Sequence, residues 1–338
     1  MTGKTDSEKR HELIDTYNRR LSYLRISVTD HCNLNCIYCR PFPNGSKLAH
    51  MEILRYEELL RIAGVSAELG ISKIRITGGE PLVRSDIYNF LGRLTQIKGI
   101  RDVSLTTNGV LLEKNLEKLQ SAGIKRLNIS LDSLQAERIH TITGHDVFAK
   151  VWQGILKAHR MGFSPIKINI VPIRDINTDE IEAFTRLSFS YPFHIRFIEY
   201  MPIGDTVIGS DRRILASEIK QQIETAFGPL HPVAHSSDGG PAQRYRLEGA
   251  KGEIGLIQPI SHHFCATCNR LRLTANGRLR LCLLSNLQED LLTPIRNGCS
   301  DDELKDIILS AIRKKPMQHD FHGSSSDCLK DQMSAIGG

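Results

Sequence analysis

The chain has 338 residues, 40% of them hydrophobic and 24% charged, with a net charge of +6. That is room for one large α/β domain and a smaller companion. No apolar run approaches the ~20 residues of a membrane span, residues 1–20 carry no apolar signal-peptide core, and the modest positive excess favours anionic ligands without the density of a nucleic-acid-binding tail. Eight cysteines without a secretion signal point to a reducing compartment and to metal binding in place of disulfides. The expectation is a cytoplasmic protein that binds neither membrane nor nucleic acid.

After a polar extension over residues 1–20, Tyr23–Val28 reads as a strand and leads into Cys32, Cys36 and Cys39, spaced C-x3-C-x2-C with Tyr38 before the third thiol. Three thiolates fall one short of a closed iron–sulfur cluster or a structural zinc. A four-iron cubane held this way leaves one iron open to chelate a ligand. The alternative is three buried thiols, or zinc completed by His31 or a distant cysteine.

Further strands are expected at Lys73–Thr77, Val103–Thr107, Arg126–Leu131, Ile166–Val171 and His194–Glu199, between amphipathic stretches near 55–69, 86–98, 112–121, 147–161 and 178–189. Gly70, Gly99, Gly123 and Gly162 punctuate the joints. Alternation in ~30-residue units means a parallel sheet with right-handed crossovers. Six units fall short of a closed eight-fold barrel, so residues 21–205 read as an open partial (β/α)6 barrel with its active face at the strand C-termini. At one such end, Thr77-Gly78-Gly79-Glu80-Pro81 offers two glycines for close backbone approach and a carboxylate that accepts from an ammonium group.

From about Thr206 the rhythm changes. Residues 206–300 hold one helical stretch (Ile214–Phe227), a Gly/Ser/Pro-rich loop (236–241) and short strands at Arg244–Leu247, Glu253–Ile257, Arg270–Thr274 and Arg278–Cys282: a smaller α+β domain. It carries a second triad, Cys265, Cys268 and Cys282, which suits a second cluster, or zinc if His262 or His263 completes it. Arg270 and Arg272 share one strand face, opposite the core-facing Leu271 and Leu273, and make an anion site suited to a polyphosphate. Arg278 and Arg280 repeat the spacing but read as a solvated face. Arg25, Arg75, Lys167 and Arg196 sit at strand ends toward one mouth. Cys299 and Cys328 read as ordinary thiols. Residues 301–338 add a helix (Asp302–Lys314) and a tail ending Gly337-Gly338.

Taken together, the two triads, Thr77–Pro81, the Asn269-Arg270-x-Arg272 run and the terminal Gly-Gly resemble the GTP 3′,8-cyclase family of the radical S-adenosylmethionine (SAM) superfamily, which opens molybdenum-cofactor biosynthesis. The resemblance spans Leu21 to Gly338 and implies two [4Fe-4S] clusters and SAM. It places the SAM-cleaving cluster on Cys32, Cys36 and Cys39, with Tyr38, Gly78, Gly79, Glu80, Ser130 and Met201 around SAM. It places a cluster that meets the guanine on Cys265, Cys268 and Cys282. Arg25, Arg75, Thr106, Lys167, Arg270 and Arg272 would bind GTP, while Arg196, Gly337 and Gly338 would serve the radical step. Implied partners are GTP, an external electron donor, the downstream cyclic pyranopterin monophosphate synthase, and a second copy in a homodimer. Arg40 replaces the family's usual Met, and residues 206–210 lack a Trp. Two alternatives stand: a radical SAM enzyme acting on a peptide, and a non-catalytic metal protein that binds nucleic acid, for which Gly78–Pro81 would have no task.

Overall fold

The computed structural model describes residues 12–39, 47–204, 207–234, 240–319 and 333–337; Arg40, Cys328 and Gly338 lie outside them. Six strands, β1 (Tyr23–Ser27), β2 (Lys73–Thr77), β3 (Asp102–Thr107), β4 (Arg126–Ser130), β5 (Ile166–Ile170) and β6 (His194–Ile198), pair in chain order and all in parallel. Between them run α1 (Tyr56–Glu68), α2 (Ile87–Thr95), α3 (Leu112–Ser121), α4 (Ala136–Thr143), α5 (Phe148–Arg160) and α6 (Ile181–Ser190). This is the open (β/α)6 arrangement that the sequence rhythm predicts. The short α4 escaped that reading: its buried face is only Ile139, Ile142 and Thr143, too few apolar positions to set a period.

Period-2 alternation decides what each strand turns inward. Ile74 and Ile76 are buried in the core while Arg75 between them faces the other way. The parallel register lines those alternate residues up across strands. Arg25 stands beside Arg75, and Arg75 beside Ser104.

The C-terminal half contributes α7 (Ala216–Phe227), β7 (His231–Pro232), β8 (Gln243–Arg246), β9 (Glu253–Ile257), β10 (Arg270–Leu273), β11 (Arg278–Arg280), β12 (Gln288–Asp290), α8 (Leu292–Arg296), α9 (Asp301–Arg313) and α10 (Met333–Ile336). Its strands extend the first sheet at both edges: β10 pairs in parallel with β1, and β9 with β6. The result is one 12-stranded sheet in the order β12-β11-β10-β1-β2-β3-β4-β5-β6-β9-β8-β7. Both flanks of the mouth are therefore hydrogen-bonded to the barrel. Ser300 caps α9, accepting from Glu303 N at 3.2 Å while the Glu303 carboxylate accepts from Ser300 N at 2.7 Å. Residues 12–20, at the polar start of the chain, lie against the fold, with Leu13, Asp15 and Arg19 buried. Among the described residues no helix is long and apolar enough to cross a membrane.

Candidate active site

The first triad occupies the loop after β1, and that loop is pinned to the turn after β2. Gly79 N donates to Thr29 O at 2.7 Å and Glu80 N to His31 O at 2.7 Å. The two chains lie so close that a Cβ on Gly79 would stand 2.6 Å from the His31 carbonyl carbon and 2.7 Å from Asp30 O. Gly78, at φ +150°, approaches Thr29 equally closely. The two glycines are thus required by the packing of two backbones.

Cys32, Cys36, Tyr38, Cys39, Gly78 and Gly79 line a cavity of about 250 Å³ at the C-terminal ends of the strands. Ser130 and Met201 line it from β4 and from the loop after β6. Glu80 does not. It is 0% exposed and accepts from Leu82 N at 3.0 Å, Thr107 Oγ1 at 2.8 Å and Asn108 N at 2.7 Å. Its carboxylate, expected to meet an ammonium group, is instead turned into the protein, where it ties the β2 and β3 turns together. Burial raises its pKa to about 7 against those three donors.

Three residues with no role in the sequence reading also shape this cavity. Asp132 accepts from Tyr38 Oη at 2.6 Å and from Val171 N at 2.8 Å, bracing the aromatic ring beside the triad. Asn108 Nδ2 lies 3.7 Å from Cys32 Sγ and donates to Asn33 Oδ1 at 2.8 Å. Glu199 is buried at the end of β6, where it accepts from Ala216 N, Ile260 N and Ser261 N at 3.0–3.2 Å and so joins the barrel to the second cysteine segment. Asp132 directly follows the expected strand Arg126–Leu131 and Glu199 ends the expected strand His194–Glu199, but one carboxylate among many carries no mark of burial.

Cys265, Cys268 and Cys282 line an adjoining cavity of about 60 Å³ with His263 and His319. Pro259, Phe264, Arg270, Arg272 and Leu283 border both spaces. The two arginines therefore stand between the two triads. His263 Nδ1 lies 3.0 Å from Pro259 O, and His262 is exposed. Among the described residues no three His, Cys, Asp or Glu side chains are gathered to hold a single metal ion; the cysteines of each triad line one cavity together. Three thiols with no fourth ligand are the donor set of a cluster with one open iron. Burial raises the Cys36 thiol, and neighbouring Cys39 adds to it. Burial also opposes ionisation of Cys268, but Lys315, Arg270 and Arg19 bring it below the usual thiol value.

Cationic side chains converge inside the barrel. Register places Arg272 beside Arg25 and Arg25 beside Arg75, on strands about 4.8 Å apart. Arg25, Arg75, Arg196, Arg270 and Arg272 all line the main cavity. Gly255 stands opposite Arg196, and a Cβ there would lie 3.1 Å from Arg196 Cγ, so the glycine clears the space in which that side chain lies. Burial, then Arg75, lowers Arg196 to about 9; burial, then Arg270, lowers Arg272 to about 10. Lys167 does not line the main cavity: it pairs with His194, two residues before the Asn169 that faces Arg196, and, largely buried, it falls to about 6 through burial, Arg196 and Arg75. Buried Nε atoms of Arg75 and Arg270 and Oγ1 of Thr106 have no hydrogen-bond partner among the described residues. Donors and like charges left uncompensated in this way fit a polyanionic ligand. Arg280, expected on a solvated face, is instead 0% exposed: it donates to Ser285 O at 2.6 Å and secures the loop after Cys282.

The tail reaches the same place. Ile336 is buried against Ile203 and Leu284, with Met201 and Cys282 beside them. Gly337, at φ +76°, gives its carbonyl to Arg272 Nη1 at 3.1 Å, and a Cβ there would lie 2.6 Å from Thr77 Cγ2.

Comparison with known proteins bears on this arrangement. Residues 26–187 match the Radical SAM superfamily, and residues 193–321 match Molybdenum Cofactor Synthesis C. A GTP 3′,8-cyclase from Desulforamulus reducens is 47% identical over 329 residues, covering 96% of this chain and 100% of that protein. The GTP 3′,8-cyclase from Thermodesulfovibrio yellowstonii is 46% identical over 325 residues, covering 96% and 99%. Among solved structures, Streptococcus suis SuiB bound to S-adenosylmethionine superposes with a TM-score of 0.62 over 93% of this chain and 78% of that one, at 16% identity, a likeness of fold alone.

Proposed function

This chain belongs to the GTP 3′,8-cyclase family of radical SAM enzymes, and on that premise we propose a role for each residue gathered at the barrel mouth. The enzyme converts GTP to (8S)-3′,8-cyclo-7,8-dihydroguanosine 5′-triphosphate, the first step of molybdenum-cofactor biosynthesis, with two [4Fe-4S] clusters, SAM and an external electron donor. The observation that carries the residue assignment is that two three-cysteine sets line adjoining cavities that share Arg270 and Arg272 in their walls.

Cys32, Cys36 and Cys39 would hold the SAM-cleaving cluster, and Cys265, Cys268 and Cys282 the second. When bound, the first cluster and SAM would supply the radical chemistry directed at the ribose 3′ position. Tyr38, braced by Asp132, and the backbone at Gly78 and Gly79 shape the SAM side, with Ser130 and Met201 closing it. Glu80 acts from behind by fixing the turn. Arg25, Arg75, Arg270 and Arg272, with Thr106 and Lys167, orient GTP through its anionic groups and its base, in a cavity that excludes bulk water. Arg196 lines the reacting space, and Gly337 and Gly338 deliver the tail to it. The division near residue 205 separates the barrel that carries the first triad from the segment that carries the second, and GTP is met from both sides of it. By the resemblance of the chain to this family, the product would pass to cyclic pyranopterin monophosphate synthase and the protein would work in the cytoplasm as a homodimer.

Replacing Cys282 by Ala tests the assignment. Slow SAM cleavage without GTP persists and GTP-dependent cyclisation stops; a Cys282→Ala enzyme that still cyclises GTP refutes the role of the second triad.

A further inference from the structure

We infer that Arg19 and Lys315 form a cationic cradle that positions the second cysteine triad and balances the charge of the cluster it holds, an inference that rests on reading Cys265, Cys268 and Cys282 as a cluster site. Neither residue lines either cavity, so neither is placed to touch SAM or GTP. Arg19 is 7% exposed and makes a fork of fixed bonds to three separate segments. Its Nε pairs with Asp15 Oδ2 at 2.6 Å, its Nη1 donates to Cys265 O and Met317 O at 2.9 Å each, and its Nη2 donates to Pro316 O at 2.7 Å. Asp15 is itself oriented by Tyr17 N at 3.0 Å and Arg19 N at 2.9 Å. A planar guanidinium satisfied at all three nitrogens sets the position of the Cys265 backbone in a way no flexible ammonium reproduces.

Lys315 is 3% exposed and works on the other two ligands. Its Nζ donates to Arg270 O at 3.1 Å, two residues after Cys268, and to Leu281 O, the residue before Cys282. Both acceptors are neutral carbonyls. Through those carbonyls the buried ammonium is held beside the segments that carry Cys268 and Cys282. A buried ammonium without a counter-charge is costly, and a cluster held by thiolates supplies one. Arg19 therefore acts chiefly through geometry and Lys315 chiefly through charge. Groups in this position commonly govern metal retention and potential.

The test uses the full chain reconstituted anaerobically with iron and sulfide. Arg19→Gln, Arg19→Lys and Lys315→Gln are made in the natural chain, and again in a chain whose Cys32, Cys36 and Cys39 are all Ala, so that only the second cluster loads. We expect Arg19→Gln and Arg19→Lys alike to lower iron affinity at the second site by about 10–100-fold, read by competition with a chelator. Lys315→Gln shifts the midpoint potential of the second cluster to more negative values, because a removed positive charge disfavours the added electron. First-cluster iron in the natural chain stays unchanged in all three. Variants that load and titrate like the parent overturn the inference, as does equal loss of the first cluster, which would mark a general folding role. Cys265→Ala separates the premise: if it leaves iron content at the parent value, the cluster assignment itself has failed.

Discussion

Changing Gly79 to Ala would strike the contact that holds the first triad in place. The added Cβ meets the His31 carbonyl carbon at 2.6 Å and Asp30 O at 2.7 Å, where a carbon–oxygen contact normally sits near ~3.3 Å. All the offending atoms are backbone, so no rotamer change relieves them. The Cβ meets the His31 carbonyl oxygen closer still, so one chain must retreat by roughly 0.9 Å, which lengthens both Gly79 N to Thr29 O and Glu80 N to His31 O, each now 2.7 Å. Two weakened bonds at ~1 kcal/mol each give about 2 kcal/mol, rising to about 3–5 kcal/mol where a buried group is also left unsatisfied. That is below the ~5–15 kcal/mol holding a whole domain, so the protein folds and the loop opens locally. The lower end alone corresponds to a ~30-fold loss of SAM affinity. Equilibrium dialysis with labelled SAM, beside iron content, reads both consequences; the second triad keeps its iron. Gly92→Ala in α2 serves as control, because its Cβ meets nothing within 4 Å. SAM affinity in Gly79→Ala within twofold of the parent would refute the reasoning.

Three further outcomes follow from the site. Lys167, lowered to about 6, is neutral in the free enzyme at pH 8 and regains its proton beside a bound triphosphate. GTP binding above about pH 6 therefore takes up a proton and weakens as pH rises, by up to about tenfold per unit; calorimetry in buffers of different ionisation heat should show this uptake, and Lys167→Met should lose it. Arg270→Met raises KM with little change in kcat, whereas Arg272→Met also lowers kcat, since Arg272 holds the Gly337 carbonyl; identical effects of the two would contradict the tail contact. Ile336→Ala removes a buried anchor, a loss of ~2–5 kcal/mol at fully packed sites, and should expose the tail to proteolysis while SAM cleavage continues.

The local pattern of this chain is written in its sequence, and its long-range neighbours are not. Alternating strands and helices in ~30-residue units announce the barrel, and spacing alone sets apart the six cysteines of the two triads. Periodicity also puts Arg270 and Arg272 on one face. It carries no information about which strand lies next to which, so the pairing of β10 with β1, which brings Arg272 beside Arg25, becomes visible only in the fold. Burial misleads in the same way: Arg280 and Arg278 share a spacing, yet Arg280 is enclosed while Arg278 pairs with Asp290 at 3.1 Å nearer the surface. Glu80 looks like a ligand because it follows two glycines, but three donors on neighbouring turns claim its carboxylate. Arg19 sits in a polar run that resembles a loose extension until its carbonyl partners, 246 to 298 residues away, are in view.

Anaerobic turnover of the reconstituted enzyme with SAM and a strong reductant, measuring 5′-deoxyadenosine and nucleotide products with GTP, ATP or no nucleotide, tests the cyclase reaction itself. The expected result is 5′-deoxyadenosine formation stimulated by GTP and not by ATP, with a product of GTP mass and altered base absorbance. Cleavage of SAM at one slow rate whatever nucleotide is present would contradict it.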